Sequence, residues 1–446
     1  MSQSELFPLP EAQDAVAAPA TSREQARLRK PNRQQVRWEP RELDSLLGPD
    51  HTARAIWAFL EQLDLNNFYR SIQSLWDGPG RPVTDPQVLL ALWVQASVDD
   101  ISSARQIARL CQEHDAYRWL CGGVPVNYHT LSDFRCGQQA ALDELLSQII
   151  AALMAAGAVP LETVAQDGMR VRASAGAASF RRRDKLAGCL QAAQQRVAEL
   201  ARRRDGPEQS LTRRQQAAQE RAARERVARV EQALAYMPEL QSSKDVQQQR
   251  FAKSRRDRIG EPRASTTDPD ARVMKMADGG FRPAYNLQIA TDAAHGIIVG
   301  VSVSASGSDA GQALPMVEQV ERRTGQRPRD YLMDGGFTAL KDITAMAVRG
   351  ITTYAPVRLP RTKPEAERYQ PRYGDTPEVV EWRQRMSTEA AKTIYRQRAA
   401  TAEWVNAQVS QHGISQFNLR GLDRVLAPAL IAALAHNLLR WISLIK

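Results

Sequence analysis

Apolar residues recur at spacings of three and four through the first third of the chain, and this predicts helices. Ile56, Phe59, Leu60 and Leu63 form one stripe, and Val88, Leu89, Leu92 and Trp93 form another. Thr84-Asp85-Pro86 opens the second helix, because aspartate can cap free N–H groups and proline suits a first turn. Ser102-Ser103 opens a third, running to about Glu113. Gly122-Gly123 and Pro125 interrupt the pattern, and Asn127 or Thr130 starts a short helix carrying Leu131, Phe134 and Arg135. Helix, glycine-containing turn and helix is compatible with a helix-turn-helix that reads a major groove. An ordinary helical bundle fits the same pattern.

The period then changes. Residues 161–172 predict a strand through Leu161, Val164 and Val171. From residue 181 to 258 the chain becomes charged and rich in Gln and Ala. A three-four stripe runs through Leu186, Leu190, Ala193, Val197 and Leu200, and resumes at Val227, Val230, Leu234 and Met237 beyond the turn Asp205-Gly206-Pro207. This predicts an antiparallel helical hairpin with a narrow apolar seam and basic outer faces. Strands return at Pro283–Thr291 and Ile297–Val303, joined by a turn short enough for an antiparallel pair. Helix Ala313–Arg323, strand Arg329–Asp334, helix Ala339–Val348 and strand Thr352–Pro356 follow, and the chain ends in helices over 378–412 and 423–445. The predicted fold class is α/β: a mixed sheet similar to the RNase H-like core, interrupted by the basic hairpin and preceded by an all-helical segment. The domain division is 1–35, a flexible basic tail; 36–155, helical and DNA-binding; 156–180, the first part of the sheet; 181–258, the hairpin; and 259–446, the remainder with its C-terminal helices.

Charge sharpens this division. The 446 residues carry a net charge of +10. Residues 181–258 hold 20 Lys and Arg against 10 Asp and Glu, so the rest of the chain balances. A localised basic excess, including Arg181, Arg182 and Arg183, is the footprint of a nucleic-acid binder, although a solvated helical face has the same composition. The tail ends in Arg23, Arg27, Arg29, Lys30 and Arg33, either solvated or contacting phosphates. Cys111, Cys121, Cys136 and Cys189 lack metal-site spacing and read as reduced thiols. The most apolar stretch, Leu426–Ile445, is interrupted by Pro428, His436, Asn437 and Arg440, so a buried helix is expected and no membrane partner. Met1–Pro8 does not resemble a signal peptide, and the expected location is cytoplasmic, at the nucleoid.

Two aspartates fall at predicted strand ends, Asp167 and Asp334, each followed directly by glycine, which would let the backbone turn past the side chain. Carboxyl ends of strands in α/β sheets are where ligands gather, and two carboxylates there can share a hard cation such as Mg²⁺. A third carboxylate is wanted from a helix. Glu381, Glu389 and Glu403 are candidates, and spacing alone does not choose among them.

The chain resembles bacterial insertion-sequence transposases of the DDE type. The stretches that carry the likeness are Val164-Ala165-Gln166-Asp167-Gly168 with Arg170-Val171-Arg172-Ala173-Ser174, and Leu332-Met333-Asp334-Gly335-Gly336-Phe337. Tyr395-Arg396-Gln397-Arg398 with Glu403, Phe417, Leu419-Arg420-Gly421-Leu422 and Ala435-His436-Asn437-Leu438-Leu439 complete it, from about residue 40 to 446. The resemblance implies an RNase H-like core and Asp167, Asp334 and Glu403 as the catalytic, metal-binding triad. It implies two Mg²⁺ ions, or Mn²⁺, and Tyr395 and Arg398 as signature residues at the DNA. It also implies cleavage at terminal inverted repeats, transfer into target DNA, and a homo-oligomeric, dimeric synaptic complex. Arg170 and Arg172, two apart on a strand, would face one side and touch phosphate. The sequence departs from the pattern twice. Four residues, Ala399 to Ala402, separate Arg398 from Glu403 where three are common, and Val409 and Ser410 stand where a lysine is usual, a role Arg420 could take. A non-catalytic, transposase-derived DNA-binding protein is the alternative these departures leave open.

Overall fold

The computed structural model describes Gln34, Ile72 and residues 40–70, 82–204, 212–250, 260–359 and 364–445. Apart from Gln34, the basic tail expected over 1–35 lies outside these residues, as does the turn at Asp205-Gly206-Pro207. Contacts divide the chain into Met1–Glu42 and Leu43–Lys446, and the second unit holds the sheet and the helices packed on it.

The sheet is built around one long strand. Phe281–Asp292 (β5) is buried from Pro283 to Asp292, so it needs neighbours on both edges and cover on both faces. On one edge it pairs antiparallel with Thr163–Arg172 (β1); on the other it pairs antiparallel with Arg272–Lys275 (β4) and then Ile298–Ser304 (β6). Beyond β1 the pairing turns parallel, to Asp330–Met333 (β7) and Thr352–Tyr354 (β8). The order is β4-β5-β1-β7-β8 with β6 beside β4 on β5, the RNase H-like plan. β4 is absent from the elements expected above; its four residues are too few to show a period.

The Leu422–Ile445 helix joins the layers. It packs on β6 and on helices Gln139–Ala155 and Pro86–Val98, so the N-terminal helices and the sheet share one continuous core. By length and composition it could cross a membrane, yet 67% of its apolar window is buried inside the protein. Asn437 extends the sheet's hydrogen bonding, accepting from the Ile298 N–H at 2.8 Å and donating to the Ile298 carbonyl at 2.8 Å.

Asp85, Ser103 and Asn127 accept from backbone N–H groups at the starts of helices Pro86–Val98, Ala104–Glu113 and Tyr128–Gly137. A further helix, Asp115–Cys121, intervenes before the glycine turn. The helix after that turn faces inward: Leu131 and Phe134 are buried, and Arg135 donates to the Ser102 carbonyl and lies 4.1 Å over the Trp93 ring.

Between β1 and β4 the chain leaves the sheet. Phe180–Arg181 (β2) and Ala264–Ser265 (β3) close the base of the excursion. Helices Arg183–Arg204 and Arg213–Ala235 pack together around a separate small core of Leu186, Val230, Ala233 and Met237 with Ala264. The second helix opens with a reciprocal Thr212–Gln215 cap. Met237, expected to continue this helix, instead begins another, Met237–Arg250.

Candidate active site

Strands β1 and β7 run side by side until Gln166 meets Met333. Asp167 and Asp334 are the next residue on each, so the parallel pairing itself brings the two aspartates level. The placement of Asp167 differs from expectation. It sits inside β1, still paired to Ile289 of β5, and only its partnership with β7 ends there. Gly168 is accordingly not a turn. A Cβ on it would lie 2.4 Å from Gln288 Nε2 and 2.6 Å from Asp309 Oδ1, so glycine is required by close approach. After Met333 the chain does turn, and Asp334 Oδ1 accepts from the Gly336 N–H at 2.5 Å.

The third element comes from the C-terminal helices. Thr388 caps helix Glu389–Arg398, dividing the helix expected over 378–412. Ala399–Glu403 then forms one wide, π-helical turn before helix Trp404–Val409. In a π turn, residues five apart stack along the axis. The extra residue between Arg398 and Glu403 is thereby absorbed, and Arg398 Nη2 donates to Glu403 Oε1 at 2.9 Å. Thr401, whose hydroxyl donates to the Gln397 carbonyl at 2.5 Å, occupies an acceptor of the regular ladder at this point.

Arg398 also lies 3.4 Å from Asp167 Oδ2, which accepts from Asn406 Nδ2 at 3.1 Å. Asp167, Arg398, Glu403 and Asn406 are thus gathered on one face of β1, with Tyr395 bonded to Arg398. Burial pushes the Asp167 carboxyl above the usual carboxylate range, against Arg398 and the Gly168 N–H and with the help of Asp334 and Asp309. Burial would pull the Arg398 guanidinium down, but Asp167, Tyr395 and Glu403 hold it above its ordinary value. The competing glutamates are committed elsewhere: Glu381 pairs with Arg385, and Glu389 with Lys392 and Arg396.

The basic residues divide. Arg170, expected to touch phosphate, donates to Asp309 Oδ2 at 2.9 Å and to the Gly307 carbonyl at 3.0 Å. Arg172, on the same face, is exposed. Arg181 and Arg183 are exposed at the base of the hairpin, and Arg182 pairs with Glu261 at 3.0 Å. Arg420 donates to the Ser174 carbonyl.

Sequence reasoning missed Asp309 and its partners. Asn286 Nδ2 and Gln288 Nε2 donate to Asp309 Oδ1 at 2.7 and 2.8 Å. Gln166 Nε2 donates to Gln288 Oε1 at 2.9 Å and Tyr331 donates to Gln166 Oε1 at 2.6 Å. The available signal was Asn286 and Gln288, two polar residues spaced two apart in the mostly apolar run Ala284–Ala290 of the strand.

Asp167, Asp334 and Glu403 offer hard oxygen donors suited to a divalent cation. Arg398 already spans two of them as a cation, and Asn406 Oδ1, buried beside Asp167, has no hydrogen-bond partner. The donor chemistry therefore fits such an ion. Among the described residues, however, no three acidic, His or Cys side chains converge closely enough to hold one without rearrangement.

Residues 261–438 match the family described as "Transposase DDE domain", and residues 41–136 match "Transposase domain (DUF772)". No curated protein and no solved structure gives a significant match. The first match covers β4 to β8, Asp334 and the Arg398–Glu403 turn, and the second covers the N-terminal helices that precede Gln139–Ala155. Sheet order and the two matches agree: the chain belongs to the insertion-sequence transposases of the DDE type, whose members act on DNA and generally use divalent metal.

Proposed function

We propose that this chain cleaves DNA at transposon ends and transfers the resulting 3′ ends into target DNA, with Asp167, Asp334 and Glu403 holding two Mg²⁺ ions. The observation that best supports this is that Asp167 and Asp334 lie level, each one residue past the end of the β1–β7 pairing, with Glu403 linked to Asp167 through Arg398. Two such ions, when bound, activate an attacking oxygen and stabilise a leaving one at a phosphodiester. Asn406 holds Asp167 Oδ2 in orientation. Arg398 exchanges its carboxylate partners for a DNA phosphate, to which its planar fork is matched, and Tyr395 steers it. Arg172 and the basic hairpin, with Arg181 and Arg183 at its base, grip the backbone without reading sequence. Terminal repeats are recognised by the N-terminal helices, and the working form is a dimer holding two ends.

A second reading, a non-catalytic DNA-binding protein, is favoured by Ser410 standing where a lysine is usual and by Arg398 lying between two carboxylates. One experiment separates the two. Purified protein is incubated with a labelled duplex carrying the element's own end, in Mg²⁺ or EDTA, alongside Asp167→Ala, Asp334→Ala and Glu403→Ala. Metal-dependent cleavage lost in all three variants supports the first reading. Binding without cleavage in Mg²⁺ or Mn²⁺ supports the second, and cleavage by Glu403→Ala alone moves the third ligand elsewhere.

A further inference from the structure

A hydrogen-bonded chain runs across three strands beneath the aspartates. It begins at Tyr331 of β7, passes through Gln166 of β1 and Gln288 of β5, and ends on Asp309. Asp309 closes it by accepting from Asn286 of β5 and from Arg170 of β1. Gln166, Asn286 and Gln288 are fully buried, and Asp309 and Arg170 are only 12% and 21% exposed. Side chains alternate across a strand, so Gln166 and Arg170 lie on the face opposite Asp167. Asp309 reaches the site only because the residue between them is Gly168. It also lies near the second aspartate loop: a Cβ added to Gly336 would come 3.4 Å from Asp309 Oδ2. One carboxylate therefore abuts both glycine-bearing segments that carry Asp167 and Asp334.

We propose that Asp309 is a positioning residue for these two aspartates, and that Arg170 serves as its counter-ion and not as a DNA contact. Tyr331 and Gln166 fix β7 against β1, three residues before Asp334 and one before Asp167. Asp309, held by three donors, fixes the segments just beyond. Arg170 neutralises its charge, so that Asp309 braces the site without competing for a cation. Outer partners of this kind orient ligands they do not replace. The inference rests on the triad reading above, and its test is chosen to tell the two apart.

Mn²⁺ binding to the free, full-length protein is followed by electron paramagnetic resonance, for the wild type, Asp167→Asn, Asp309→Ala and Asp309→Asn. Asp167→Asn is expected to abolish binding. Asp309→Ala is expected to raise the half-saturating Mn²⁺ concentration by roughly tenfold or more. Asp309→Asn keeps an acceptor oxygen for Asn286 and Gln288 and loses only Arg170, so its shift is expected to be smaller and in the same direction. It also carries the test if the alanine variant does not fold. Wild-type binding in both Asp309 variants, with loss in Asp167→Asn, overturns this proposal alone. Absence of binding by the wild type overturns the triad reading and this proposal with it. In a second arm, DNA affinity of Arg170→Gln is measured against salt. An unchanged slope is expected; a fall of about 0.9, the loss of one phosphate contact, would show that Arg170 meets DNA and would overturn its role as counter-ion.

Discussion

The carboxylate site and the basic hairpin both depend on charge, and they hold it in opposite ways. At the site two aspartates have largely buried partners: Asp309 has Arg170, and Asp167 has Arg398 and Asn406. Losing one such partner strands another in a low dielectric, so geometry there is fixed by penalty. On the hairpin, Arg196, Arg203, Arg224 and Arg229 form pairs with glutamates one helical turn away, and at least one partner of each pair is open to solvent. Pairs of this kind contribute little to stability, and salt screens them. Position therefore matters for the first set, and only the sum matters for the second. A structured site can do chemistry, whereas a net charge can only hold a polyanion nearby.

Gly168 offers the most severe test of this contrast. Gly168→Ala adds one methyl where Gln288 and Asp309 already sit within 2.6 Å. Cleavage at a transposon end should fall by roughly 10²-fold, as for a catalytic group misplaced by about an ångström, with end binding retained. Wild-type turnover by this variant would mean the site tolerates the displacement. On the hairpin the opposite holds. Replacing the exposed Arg213, Arg214, Arg221 and Arg226 together by Gln should weaken DNA binding and flatten its salt dependence by up to about 0.9 per lost phosphate contact. Cleavage at saturating DNA should stay unchanged, and a loss of cleavage there would make the hairpin part of the chemistry.

Titration sharpens the contrast further. Because burial raises the folded pKa of Asp167, its contribution to stability is present below 3.8 and lost as pH rises through the raised value. Asp167→Asn should therefore remove that part of the pH dependence of Tm across and above the carboxylate range, while metal-dependent cleavage is abolished. His436 has the reverse sign. Its imidazole, buried and donating to the Gly296 carbonyl, is pushed down to about 4, so its contribution is present above 6.5 and lost as pH falls towards 4. In His436→Gln, thermal unfolding should lose that part of its pH dependence. The smallest effect is expected from deleting Ala400. A regular helix then brings Arg398 and Glu403 four apart, and cleavage should survive; its loss would mean that the π turn is itself required.

Much of the fold was legible along the chain because its signals are local. Asp85, Ser103 and Asn127 cap the helices whose starts they mark, and β5 and β6 pair across the short turn between them. What was not legible along the chain is of a different kind. Asp167 has the look of a strand end because glycine follows it, yet Gly168 answers a neighbour 141 positions on, Asp309. Arg170 has the look of a phosphate ligand because basic residues two apart on a strand share a side; its partner lies in a loop with no pattern of its own. The four residues between Arg398 and Glu403 have the look of a defect only when spacing is measured against a regular helix.

By itself the sequence determined the strand and helix periods, the concentration of positive charge between residues 181 and 258, and the family, because composition, periodicity and motif order are properties of the chain read one residue after another. Tertiary structure alone decided which charges are neutralised in pairs and which remain open to solvent. The reason is that pairing depends on distance and burial: Arg170 and Asp309 are 139 residues apart in the chain and 2.9 Å apart in the fold.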